Sequence, residues 1–87
     1  MEDQDIIELY WQRSEEAITQ TKQKYGPYCT KIAYNILASF EDAEECVADT
    51  YLRLWEGIPP ARPAHLKAFL GRITHNLAIN RYRANSR

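Results

Sequence analysis

Six bases, Arg62, Lys67, Arg72, Arg81, Arg83 and Arg87, occupy the last 26 residues of this 87-residue chain without a single acid, and His75, Asn76 and Asn80 lie among them. Guanidinium and ammonium groups attract phosphates, and side-chain amides offer base edges both donors and acceptors. That mixture suits a nucleic-acid surface better than an acidic small molecule. Residues 1–61 have the opposite balance, twelve acids against five bases, so the formal net charge of −1 hides a bipolar chain. Segregation of this kind suggests two partners of opposite character, one of them a polyanion.

The residues that could support catalysis do not converge. His65 and His75 are ten positions apart, Ser14, Ser39 and Ser86 lack an evident base and orienting acid, and Gly26, Gly57 and Gly71 are isolated rather than clustered as a phosphate cradle. Glu15 with Glu16, and Glu44 with Glu45, are sequence neighbours. Adjacent helical positions point about 100° apart, so these are not paired catalytic carboxylates. An enzyme is not expected. Cys29 and Cys46 lie in apolar helical patterns without ligand spacing to either histidine, which predicts buried thiols in a reducing compartment and neither a metal site nor a cofactor. No run approaches ~20 apolar residues and the chain starts Met1, Glu2, Asp3, so neither membrane insertion nor a secretory leader is expected, and the location predicted is cytoplasmic.

The elements that must position these groups read as helical throughout, in one domain of three to four helices. Ile7, Tyr10, Trp11, Ala17, Ile18 and Thr21 recur at helical steps and predict a first helix over residues 4–25, ended by Gly26 and Pro27. A second helix, or a kinked continuation, follows over 27–38 with Tyr28, Ile32 and Ile36 inward. Ser39 before Asp42 reads as an N-cap opening a third helix over 40–56, which buries Val47, Tyr51 and Leu54. Its other side carries the acids Asp42, Glu45, Asp49 and Glu56, bordered by Leu52 and Trp55, an apolar margin that suits a protein partner. Pro59, Pro60 and Pro63 predict a stiff extended connector, and a fourth helix over 64–82 buries Leu66, Phe69, Leu70, Ile73 and Leu77.

Two blocks, EDAEECVADTYLRLW from Glu41 to Trp55 and FLGRITHNLAIN from Phe69 to Asn80, resemble region 2 of bacterial sigma-70-family RNA polymerase sigma factors, specifically the extracytoplasmic-function group. The resemblance covers nearly the whole chain and keeps the order and separation of the two blocks. It implies a compact all-α domain that binds core RNA polymerase at its clamp helices and meets the promoter −10 element, above all its non-template strand. By that resemblance Asp42, Glu45, Asp49, Leu52, Arg53 and Trp55 face polymerase. Ile58, Pro59, Pro60, Arg62 and Pro63 of the connector capture a base leaving the stack. Lys67, Arg72, His75, Asn76, Asn80, Arg81 and Arg83 supply the remaining DNA contacts.

Two residues depart from the commonest pattern of the family: His75 stands where arginine is frequent, and Asn80 where aspartate is. The first lowers fixed positive charge and the second removes a carboxylate while keeping hydrogen-bonding capacity. The resemblance further implies a second, C-terminal domain that reads the −35 element and is absent from these residues, and it admits an anti-sigma protein as a partner, although no residue singles one out. Residues alone leave two other readings, a helical interaction or scaffold module and a duplex-binding repressor. The second is the weaker, because no separate short recognition helix is evident.

Overall fold

The computed structural model describes residues 1–86, so Arg87, the last of the six C-terminal bases, lies outside the described residues. Four helices account for almost all of it: α1 (Asp3–Trp11), α2 (Glu16–Leu37), α3 (Phe40–Gly57) and α4 (Leu66–Asn85), with no strand among the described residues. The all-helical architecture expected from the periodicity is the one observed. α2 lies centrally against α3 and α4, α3 and α4 pack on each other, and α1 leans on α2.

The first helix boundary differs from the expectation. The chain breaks at residues 12–15 rather than at Gly26, and Arg13 adopts a left-handed conformation with φ 57°. Left-handed residues commonly terminate helices by returning N–H groups to the last carbonyls. Here the Arg13 N–H donates to Tyr10 O at 3.0 Å and the Ser14 N–H to Leu9 O at 2.9 Å. No glycine or proline marks the break, and the apolar steps of the sequence run on through it. α2 in turn continues through Pro27. A mid-helix proline forfeits one hydrogen bond and costs roughly 3 kcal/mol, but part of its clash is with the preceding Cβ, which Gly26 lacks. The burial of Tyr25 and Cys29 on either side offsets the rest.

The core is also rotated from the one expected. Val47, Tyr51 and Leu54 are buried, whereas Tyr28, Ile32, Ile36, Phe69, Ile73 and Leu77 are half-buried. Many of the buried positions are small residues: Ala17, Thr21, Cys29 and Ala33 on α2, Ala43, Cys46 and Thr50 on α3, and Gly71, Thr74 and Ala78 on α4. Small side chains let helices approach closely, and the fully buried Tyr10, Leu54, Ile58, Leu66 and Leu70 fill the space beside them. At Gly71 a Cβ would stand 2.7 Å from the Tyr28 hydroxyl, so glycine is what lets that ring lie against α4.

Three threonines are fully enclosed, and each finds partners. Thr21 donates to Ala17 O at 2.7 Å, so the Tyr10 hydroxyl, also 2.7 Å away, donates to Thr21. Thr50 and Thr74 meet across the α3–α4 seam at 2.9 Å, with Cys46 O and Leu70 O, each 3.0 Å from the hydroxyl one turn on, as further acceptors. The Cys46 thiol points at Thr74 O, 3.5 Å away. Burial raises the pKa of both Cys46 and Cys29, which keeps the thiols protonated and unreactive. Ser39 caps α3 as expected, its hydroxyl accepting from the Asp42 N–H at 3.3 Å.

The buried phenols make stability sensitive to alkali. Burial, then the hydrogen bond to Asp3 and its charge, push Tyr25 up to about 12, and burial pushes Tyr51 up to about 12 as well. A raised phenol pKa favours the fold below the ordinary value of 10.0 and is lost as pH rises through the folded value. The melting temperature should therefore begin to fall near pH 9, as the buried thiols lose their advantage, and fall further between about pH 10 and 12 as the phenols do. Thermal melts of wild type and Tyr25→Phe across that window check this, the variant showing the shallower fall.

Candidate functional site

α4 offers one continuous polar line. Arg72, Asn76, Asn80 and Arg83 follow one another at steps of four, four and three and are exposed, with His75 beside them. At its beginning Pro63, Ala64, His65, Ala68, Phe69 and Arg72 line an open cleft of 310 Å³ between the connector and the first turns of α4. Further along, Asn76 and Asn80 line a second cleft of 330 Å³ with Ile73, Leu77 and Arg53 of α3. From His65 to Asn80 the track spans about 22 Å at 1.5 Å per residue. An apolar floor, amide groups and flanking guanidinium groups are what an unstacked nucleotide strand requires.

The bases of the C-terminal third separate into two sets. Arg81 is clasped by Asp42 at 2.9 Å and by Glu45, with Asn85 on the second oxygen of Asp42. Hydrogen bonding to Asp42 raises the Arg81 pKa against an opposing effect of burial, and the charges of Asp42 and Glu45 raise it further. Its Nε is enclosed without an acceptor, so the clasp acts through one end of the guanidinium. Arg62 is committed to Glu8 and lies over the Trp11 ring, 4.2 Å from its centroid. Lys67 sits over Tyr28 at 4.8 Å. Among the described residues Arg72 and Arg83 make no ion pair with an acid, and they lie along the track.

The connector is folded rather than extended. Residues 58–60 form a turn in which the peptide bonds before Pro59 and Pro60 are both cis. Ile58 is fully buried and cannot touch a base in this arrangement. Pro60 is exposed, Pro59 half-buried, and Pro63 forms part of the cleft rim. On α3, Asp49, Arg53 and the 54% exposed Leu52 face outward together with Glu56. Trp55 does not join them as an open anchor: its ring packs on Tyr10 at 6.3 Å and lies 3.7 Å beneath the Arg13 guanidinium. Asp42 and Glu45 are held by Arg81.

Sequence reasoning missed Trp11 and Arg13, whose roles depend on contacts roughly fifty positions away and carry no local signal. It also missed Phe69 and Ala68 as cleft residues, having assigned Phe69 to the core. An exposed stacked pair, Tyr34 and Phe40, with ring centroids 4.4 Å apart, closes the α2–α3 corner and was equally unforeseen.

Residues 22–87 match the family described as Sigma-70 region 2. No curated protein and no solved structure matches the chain.

The Arg81 clasp ties the start of α3 to the end of α4, and its members are partly exposed. Arg81→Ala should lower the melting temperature at low salt by leaving Asp42 and Glu45 facing each other, and the deficit should shrink as salt screens them. Melts of both proteins over a salt series measure this.

Proposed function

From the premise that this chain belongs to the sigma-70 region 2 family, we propose that it is a transcription initiation domain that docks on core RNA polymerase through the outer face of α3 and holds the non-template strand of the promoter −10 element along α4. The observation that carries the reading is the line Arg72, Asn76, Asn80 leading out of the cleft at the start of α4, on residues the family match covers. The finer assignment, to the extracytoplasmic-function group, rests on the blocks Glu41–Trp55 and Phe69–Asn80.

Each part follows from its chemistry. Taking a base out of the stack costs a few kcal/mol, so phosphate attraction, which is blind to sequence, cannot select the site alone. The cleft beside Phe69 and His65 offers an apolar and aromatic wall to a displaced base, and Asn76 and Asn80 offer amides to base edges further along. Arg72 and Arg83 attract the backbone, with Lys67 near the cleft mouth. Arg81 contributes to the fold through its clasp. On the other face Leu52 is the apolar anchor, with Asp49 and Arg53 around it, and the partner is the clamp helices of core polymerase. Trp55 supports that face from beneath.

Two sets of variants separate the faces. Leu52→Asp should weaken binding to core polymerase at least about tenfold, because it places a charge where an apolar anchor docks, while leaving strand binding in a polymerase-free assay unchanged. Arg72→Ala should weaken single-strand binding and reduce the slope of log affinity against log salt by about 0.7, the signature of one lost phosphate contact, while leaving polymerase affinity unchanged. Titrations of labelled domain with core enzyme and with −10 oligonucleotides read both. Wild-type affinity of Leu52→Asp for polymerase would rule out the α3 face.

A further inference from the structure

We infer that the N-terminal segment around Glu8, Trp11 and Arg13 is a positioning clamp that sets the shape of the strand-binding cleft, with Arg13 as its central residue; this rests on the strand-capture reading above. In a helix the C=O of residue 55 would accept from the N–H of residue 59, and residue 59 is proline, which has none. The last turn of α3 also contains no base to oppose its partial negative charge. Arg13 supplies both missing functions from another part of the fold. Its Nη1 donates to Trp55 O at 2.8 Å and to Ile58 O at 2.9 Å, and its guanidinium covers the Trp55 ring.

The conformation of Arg13 supports the same conclusion. A φ of 57° is disfavoured for a residue with a Cβ and comes readily to glycine. Glycine would end α1 as well, so the side chain has to be what Arg13 contributes. Two further ties run parallel to it. Trp11 donates its indole N–H to Ala61 O at 3.1 Å, and Arg62 is pinned between Glu8 and the Trp11 face. Pro63, Ala64 and His65, which border the cleft, follow Arg62 directly. All the clamping groups precede residue 22, so they lie outside the matched family region. The cleft is thus built from residues inside the matched span and held in shape by residues outside it.

Arg13→Gly keeps the left-handed turn and deletes the guanidinium, which makes it the informative variant, and Arg13→Lys restores the charge without the planar fork. Amide hydrogen exchange of Ile58 and Ala61, and discrimination between a −10 non-template oligonucleotide and its scrambled counterpart with core polymerase present, are measured for all three proteins. In Arg13→Gly the two amides should exchange about tenfold faster and discrimination should fall about tenfold, with polymerase affinity and the salt slope unchanged. Arg13→Lys should lie between. Unchanged exchange and discrimination in Arg13→Gly would overturn the clamp while leaving strand capture intact. A wild-type domain that cannot discriminate, at normal polymerase affinity, would defeat the strand-capture reading and with it the clamp's role.

Discussion

The hydroxyl pair of Thr50 and Thr74, 2.9 Å apart in the seam between α3 and α4, governs how both helices are turned about their axes. The two hydroxyl hydrogens are shared among three contacts: one threonine donates to the other, which donates to the carbonyl one turn back on its own helix, so rotating either helix would lose the cross-helix hydrogen bond, worth about 1 kcal/mol. With Thr50 inward, Asp49, Leu52 and Arg53 must point out. With Thr74 and Gly71 inward, Arg72, Asn76 and Asn80 must point out on another side. The two candidate faces are consequences of one packing register, and the small residues beside the threonines allow it by letting the helices come close.

That register explains what was legible in the sequence. α3 was readable almost to the residue because Ser39 and Asp42 mark its start and Val47, Tyr51 and Leu54 repeat cleanly inward. In α4 the expected stripe of Leu66, Phe69, Leu70, Ile73 and Leu77 holds at Leu66 and Leu70, which are buried, whereas Phe69, Ile73 and Leu77 are half-buried and the buried face continues through Gly71, Thr74 and Ala78. Gly71, Thr74 and Ala78 carry little hydrophobic signal, so the part of the buried face that they form was not legible from side-chain size. The candidate track on α4 borders the half-buried residues: Ile73 and Leu77 line one cleft with Asn76 and Asn80, and Phe69 lines the other with Arg72. The break between α1 and α2 was hidden because its left-handed residue is an arginine, kept there by contacts with residues 55 and 58.

Charge shows the same limit. Along the chain the bases of the C-terminal third look uncompensated, yet Arg62 and Arg81 meet acids of α1 and α3 across the fold. The bipolar sequence becomes a molecule in which α4 keeps a narrower basic line, Arg72 and Arg83 with Lys67 near the cleft. A narrow line beside a cleft favours a strand held in one register over diffuse attraction to duplex. α1 extends this division of labour: it adds no group to either candidate face, and it holds the turn from which the cleft is built.

Site-specific photo-crosslinking in an assembled promoter complex tests the central claim most directly. A photoreactive side chain replaces Ala68, at the cleft, or Leu52, on α3, and the protein is mixed with core polymerase and a promoter bearing a pre-opened −10 bubble. The account predicts that position 68 crosslinks to the non-template strand within the −10 element and position 52 to the clamp of polymerase. Crosslinking of position 68 to polymerase, or of position 52 to DNA, would contradict it.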